Sequence, residues 1–255
     1  MKILKQEMYE LAGELRKIYQ KKINNTHIWA SIAYEAINVA SANVEILSSS
    51  TFKVPSRSVS KTKEISRSKE SLEEVLNAAA DIDFNYSIFT FIVAQIEAFL
   101  SDLVRGVLRI DKRRLKIRVQ GIDHTNKIDI AEIIDSNDID EVLELIIKKE
   151  LISIFYASPE KQFEYLEKVL NIKIDEKLFE LFDKWKEYKA TRDIIIHNSG
   201  IANEVYLKKS GNKAKWTEGE KVVIEQDYLN SLVAESKSLV GKICSAIQAK
   251  NKIKK

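Results

Sequence analysis

The sequence predicts an all-α protein. Only 7 Gly and 2 Pro punctuate 255 residues, far too few for a turn-rich all-β architecture, and Lys, Glu, Leu, Ile and Ala dominate. Apolar side chains recur at three- and four-residue steps through most of the chain, the period of an amphipathic helix. With 45% hydrophobic and 31% charged residues, the chain is too apolar for disorder and long enough for a sizeable core, in one large domain or two small ones.

The elements follow in order. Apolar spacing predicts a helix from about Ile3 to Tyr19 and a second from about His27 to Leu47. The connection SSSTFKVPSRSVSKTKEISRSKE, with Pro55 and many hydroxyls, reads as an exposed, mobile loop. A short helix around Leu72 to Ala80 has Ser71 or Ser68 as its cap. From Asn85 to Ile110 the chain is apolar on nearly all sides (Ile88, Phe91, Ile92, Val93, Ile96, Phe99, Leu100), which suits a helix at the centre of a bundle. DKRRLKIRVQG alternates basic and apolar residues, as a short strand or an extended arm would. Helices are then expected over Ile139 to Phe155, over Pro159 to Leu170 with Pro159 in the first turn, and over Asp175 to about Asn198, where Gly200 can end it. YLKKSGNKAKWTEGEKVVIE reads as a polar loop with a hairpin turned by Gly211 and Gly219, and a last helix runs from Asp227 to about Ala249. Residues 1–80 form N-terminal helices and a Ser/Lys-rich loop packed on a helical domain of residues 81–255.

Several function classes are disfavoured. The N-terminal MKILKQEMYELAGELRKIYQ lacks the apolar core and cleavage site of a signal peptide, so a cytoplasmic protein is expected. SIFTFIVAQIEAFL, interrupted by Gln95 and Glu97, falls short of the ~20 residues that cross a bilayer and reads as a buried helix, with no membrane partner. The single cysteine, Cys244, leaves no intrachain disulfide and sits in KICSAIQ on the inner face of a helix. His27, His124, His197 and Cys244 show no metal-ligand spacing, and there is no Gly-rich phosphate loop, so neither metal nor cofactor is expected. DSNDIDE reads as a solvated helix start. The net charge of +3 does not by itself announce a nucleic-acid partner; the basic clusters KTKEISRSK, DKRRLKIRV and KNKIKK read individually as a solvated loop, strand and tail.

The stretch TRDIIIHN, residues 191–198, is less easily set aside. Leu178, Leu181, Trp185, Tyr188 and Ile195 form a packing seam, and Arg192 takes the next seam position. A guanidinium facing apolar neighbours needs an anion, because burying an unpaired charge costs several kcal/mol. Glu97, set among Val93, Ala94, Ile96 and Leu100 with no cation nearby in sequence, is one candidate; a ligand phosphate, gripped by two hydrogen bonds, is the other. His197 lies about 140° round the helix from Arg192, so the two flank one sector. Asp193 is four positions before His197, where a carboxylate can orient the imidazole, and Asn198 adds an amide.

RDIIIHN resembles the R-x4-6-H motif of the HEPN superfamily (higher eukaryotes and prokaryotes nucleotide-binding domain). The order of VAQIEAFLSDL, LISIFYASPEKQFEYLEKVLNIKID and RDIIIHNSGIANEVYLK is similar to that of larger HEPN ribonuclease-type proteins, from about Phe84 to the C-terminus. The resemblance implies a HEPN-like antiparallel helical bundle with extra N-terminal helices and a loop or hairpin insertion before the last helix. It also implies a metal-independent endoribonuclease that cleaves RNA through 2′-hydroxyl attack, as a toxin, abortive-infection or antiviral defence effector. The implied catalytic set is Arg192 and His197 with Asp193, Asn198 and Glu97; Lys186 and Lys189, further back on the helix, would extend a positive track for the RNA backbone. Family members pair two copies so that both Arg and His sets line one cleft, which implies a homodimer with a composite active site, and an antitoxin or defence-system partner is a further expectation. The small HEPN toxins carry a Tyr two residues after the His, where this chain has Ser199, so control by modifying that tyrosine does not carry over. The alternative is a catalytically inactive HEPN-fold dimeric module binding nucleotide, RNA or a partner protein. Of the other candidates, His27 lies in an apolar helix start and His124 in a polar loop. Trp185, Tyr188, Phe155 and Tyr156 read as core, and Trp216 in a basic loop as core or a base-stacking platform.

Overall fold

In the computed structural model, which describes residues 2–49, 53–58, 61–65, 67–125 and 127–253, the chain begins with one unbroken helix, α1 (Lys2–Ala42). Apolar spacing predicts two helices here, Ile3 to Tyr19 and His27 to Leu47, parted by QKKINNT. The inward stripe nevertheless continues through it: Met8, Ala12, Leu15, Tyr19, Ile23, Thr26 and Ala30 are all buried. Thr26 is accommodated because its hydroxyl donates to the Lys22 carbonyl at 3.0 Å and accepts from the Gln95 amide at 2.7 Å.

After α2 (Val44–Ser49) comes an antiparallel hairpin, β1 (Val54–Ser58) and β2 (Lys61–Ile65), with Val54 opposite Ile65 and Ser58 opposite Lys61. This corrects the mobile loop expected there, although residues 50–52, 59–60 and 66 of that connection lie outside the described residues. Pro55 is tolerated because each strand of a two-stranded sheet has a free edge that needs no N–H donor. α3 (Lys69–Ala78), capped by Ser68, passes through a π turn (Ala79–Asp83) into α4 (Phe84–Ile110). The helical run 69–110 is long and apolar enough to cross a membrane, but half of its most apolar stretch is buried by the rest of the chain, as in a core helix.

DKRRLKIRVQG is not a strand: a 3-10 turn covers Lys112–Lys116, held by the Asp111 carboxylate, which accepts from both Arg113 and Arg114. Next come α5 (Ile130–Ile134), α6 (Ile139–Tyr156), α7 (Pro159–Leu170) and α8 (Glu176–His197). The last three have the bounds read from the sequence to within a residue or two, because their signals are local: Asp138, Ser158 with Pro159, and Asp175 cap their own first turns. The hairpin expected before the last helix is replaced by α9 (Glu204–Ser210), a 3-10 turn (Gly211–Lys213) and a loop that meets the preceding chain in one bridge, Ile201 with Lys221. Asn203 caps α9, and the turn residue Gly211 follows that helix where the sequence reading placed it in a hairpin. α10 (Gln226–Asn251) closes the chain.

The result is an all-α helical bundle apart from the short hairpin. α4 lies at its centre, packed against α1, α6, α7, α8 and α10, while α1 and α10 lie side by side along much of their length. One apolar core runs through these helices, from Met8 to Ile247. Ile92, Val93, Ile96, Phe99 and Leu103 of α4 are completely buried, each stabilising the fold by roughly 1.5–3 kcal/mol. Phe91 departs from the inward reading and is half exposed.

Candidate active site

α8 carries the motif at its C-terminal end and runs antiparallel to α4: Gly200 lies against Tyr86, and Lys189 and Arg192 reach Glu97. The buried face of α8 is Leu178, Phe182, Trp185, Tyr188, Thr191 and Ile194. It is turned slightly from the seam read in the sequence, leaving Leu181 and Ile195 only half-buried and Arg192 at the edge of the packed face.

Of the two anions suggested for Arg192, the internal one is present. Its Nη2 donates to Glu97 Oε1 at 2.6 Å, and Lys189 Nζ stands 3.2 Å from the same oxygen. Two cations therefore share one carboxylate, so the cluster carries an excess positive charge. Burial pushes Lys189 below the ordinary lysine range and Glu97 restores only part of the loss; its ammonium also lies 5.2 Å from the Trp185 ring centre. Arg192 Nε is buried without a hydrogen bond, 3.5 Å from Asp193 Oδ1. Such a donor is costly to leave unmet.

Asp193 does not orient His197. Its Oδ2 accepts from Lys209 of α9 at 2.8 Å, a partner 16 positions away that the helical i, i+4 rule could not reveal. His197 is exposed, and its imidazole makes no hydrogen bond among the described residues. It lines a cleft of about 360 Å³ with Asp193, Asn198, Asn203, Tyr206 and Lys209. Asn198 ends the helix: its N–H reaches the Ile194 carbonyl at 2.9 Å and its side-chain amide donates to the Ile201 carbonyl at 2.6 Å. The loop beyond is pinned in turn. Val222 N–H donates to the Gly200 carbonyl, and the Tyr86 hydroxyl donates to the Val222 carbonyl at 2.6 Å.

Asp193, Ala190, Val205 and Lys209 also line a second, larger cleft of about 730 Å³, which continues to Lys186, Lys189, Lys208, Tyr156 and the first turn of α7. Lys186 is held by Asp183 at 2.8 Å and Glu160 at 3.5 Å, whereas Lys208 has no ion-pair partner among the described residues. The sequence reading missed Lys208 and Lys209, because α9 itself was missed. Tyr156, read as core, is instead 87% exposed on this cleft. Of the two readings of Trp216, the core one holds: it is buried against Tyr206 and Tyr228, where it cannot stack on a base. His124 lies in a loop, as read, but is buried, its Nδ1 2.6 Å from Glu150 Oε1 and its Nε2 accepting from Val119 N–H at 2.8 Å, so its role is structural.

This arrangement can present a solvent-accessible imidazole, a cluster with net positive charge one turn away, and a cleft of a size that suits a nucleotide. In comparisons with protein-family models, with curated proteins and with solved structures, nothing matches this chain.

Proposed function

We propose that the chain is a metal-independent HEPN-type endoribonuclease, a toxin or abortive-infection effector, working as a homodimer with a composite site. The observation that carries the reading is the end of α8: an exposed His197 on an open cleft, five positions after Arg192, which is fixed by Glu97, keeps a buried unmet Nε donor and lines neither cleft.

RNA cleavage by its own 2′-hydroxyl needs a base for that hydroxyl, an acid for the departing 5′-oxygen, and positive charge at the crowded phosphate. His197 suits either proton role, worth ~10²–10⁴-fold in rate. Arg192, held by Glu97 and supported by Lys189, suits the charge role, where losing one preorganised donor costs ~10²–10³-fold. Asp193 and Lys209 form a neutral pair at the cleft wall, and Asn198 fixes the backbone from which His197 projects. Lys186, Lys189 and Lys208 line the larger cleft, where they would meet neighbouring phosphates.

A single cleft holds one histidine, and a second proton-transfer group would come from a second copy. The apolar strip of Ile28, Trp29 and Ile32 on α1, Phe91 on α4 and Ile196 on α8, each at least 44% exposed, offers a surface for that copy. The second reading, a non-catalytic dimeric module that binds nucleotide, RNA or a partner protein, draws on the imidazole of His197: no side chain among the described residues orients it for proton transfer.

Cleavage of a mixed RNA pool in EDTA separates the two. Wild-type protein is expected to cut and leave 2′,3′-cyclic phosphate ends, with Arg192→Ala and His197→Ala each at least ~10²-fold slower. Absence of cutting, or cutting that survives both substitutions, rejects the nuclease reading.

A further inference from the structure

A groove of about 810 Å³ between α1 and α10 is lined by Arg16, His27, Lys237 and Lys242, with Gln20 and Asn230, and no carboxylate lines it. In this chain most buried or half-buried cations are matched: Lys184, Lys186, Lys189, Arg105, Arg114 and Arg192 each stand within 4 Å of an acid. The half-buried groove cations, Arg16 and Lys237, are not, and Lys242 beside them is exposed. Arg16 reaches only the Ser245 hydroxyl at 3.3 Å, Lys237 only the Asn24 amide oxygen at 3.0 Å, and Lys242 has no partner among the described residues. Three positive charges line one depression, in a chain whose whole net charge is +3.

The floor of the groove is built of small side chains. Ala234, Ser238, Gly241 and Ser245 follow one another on α10 at alternating four- and three-residue steps, so backbone rather than bulk lies between the cations. From Arg16 to His27 the groove extends roughly 16 Å at 1.5 Å per residue, long enough for several phosphates of an extended strand. It is also separate from the motif. Tyr228 and Glu235 of α10 bond side chains of α8, while Asn230 and Lys237, each two positions on, lie in the groove. Two positions are about 200° round a helix, so the groove is on the far side of α10 from α8.

We propose that the α1/α10 groove binds the phosphate backbone of single-stranded RNA, holding a substrate at a distance from the cleavage motif. An elongated, acid-free groove with its charges spread along it suits a polyanion better than a compact ligand. That the polyanion is RNA rests on the nuclease reading.

The test measures binding without cleavage. Fluorescently labelled 2′-O-methyl RNA lacks the nucleophile, so anisotropy reads its binding whether or not the protein is a nuclease. Replacing Arg16, Lys237 and Lys242 by Ala is expected to weaken binding roughly 10- to 50-fold near 0.15 M salt and to flatten the slope of log K against log salt by about 2, at ~0.7 per lost contact. Because Arg16 ties α1 to α10 through Ser245 and Lys237 does so through Asn24, the single variant Lys242→Gln, which leaves both ties intact, is expected to flatten the slope by about 0.7. A charge-matched control, Lys148, Lys173 and Lys177 to Ala, is expected to cost less than about threefold, since scattered surface charges act only through screened fields.

The proposal is overturned if wild-type protein does not bind the RNA, if the groove variants bind it as the wild type does, or if the control loses as much as they do. It is also overturned if inorganic tripolyphosphate binds in the groove while RNA does not, which would make it a site for a small free phosphate. A protein that binds through the groove but never cleaves rejects the nuclease reading alone; one that cleaves but binds independently of these cations rejects the groove alone.

Discussion

Glu187 is a carboxylate with almost no water around it. It sits on the inner face of α8, 4% exposed, and accepts from Thr191 at 2.8 Å, Tyr206 at 3.0 Å and Tyr228 at 2.6 Å. Burial pushes its carboxyl above the ordinary 4.5, and the three hydroxyls pull it only partly back. The sign follows: the ionised form is disfavoured by folding, so this group's contribution to stability is greatest below pH 4.5 and declines as pH rises through the raised native value. Glu187→Gln removes that titration. Its melting temperature relative to wild type is expected to improve as pH rises above 4.5 and to level off once pH passes the raised native value, whatever the offset at the acid end; a difference independent of pH would show that Glu187 ionises in place without penalty. Nothing in KEYKA marks this residue, since two of its three partners lie 19 and 41 positions on. Arg192 and Glu97 were legible as a pair because each is a charge set among apolar neighbours on a different helix, a conflict that sequence pattern can register. Lys209, which takes Asp193 from His197, was not, because its approach depends on how α9 folds back.

At the scale of elements, the site depends on how α8 ends. Asn198 closes the helix, Ser199 turns left-handed at φ 53°, and Gly200 follows at φ 73° with its N–H on the Ile194 carbonyl. A Cβ at Gly200 would stand 2.4 Å from the Tyr86 hydroxyl, which holds the Val222 carbonyl. Gly200→Ala therefore meets two costs, about 1–2 kcal/mol for the left-handed backbone and the displacement of Tyr86. It is expected to lower the melting temperature by at least ~2–4 °C for a chain of this size and to reduce cleavage more than Gly211→Ala, because only Gly200 shares a turn with His197. Gly211 has open space around it, so Gly211→Ala meets a backbone cost of its own without a clash. The end of α8 was readable from Gly200, and the starts of α6, α7 and α8 from their caps, because such signals lie within a few residues. The continuity of α1 was not, since it is decided by α4: Gln95 bonds Thr26 in the polar stretch where the helix was expected to break. The hairpin was misplaced for a related reason. Glycine-marked turns at Gly211 and Gly219 suggested pairing that the packing of α9 prevents, while β1 and β2 pair across a connection with no Gly or Asn to announce it.

The whole molecule raises the question of whether one chain suffices. The helical bundle follows from composition and period, which sum over many residues and survive local errors, whereas assembly depends on a few exposed side chains. Ile28, Trp29 and Ile32 of α1 surround a solvent-facing strip that reaches α4 through the Trp29 and Phe91 rings, 6.5 Å apart. With α4 and α8 antiparallel, Phe91 stands level with Ile195 and Ile196, one turn from Arg192. Covering that strip with a second copy would bring two α8 ends together, as the proposed composite site requires. The consequence can be measured by mixing two inactive proteins. Arg192→Ala homodimers keep two histidines and no motif arginine, and His197→Ala homodimers the reverse, but a mixed dimer has one of each in a shared cleft. Unfolding and refolding the two together is expected to recover activity above that of either alone, in proportion to the mixed dimer formed but short of wild type because one histidine fills one of the two proton roles, and Phe91→Glu in both chains is expected to abolish the recovery along with dimerisation. If mixed dimers form and remain inactive, one histidine and one arginine from different chains do not make a working site, and a shared cleft that functions with one of each is wrong even where the nuclease is right.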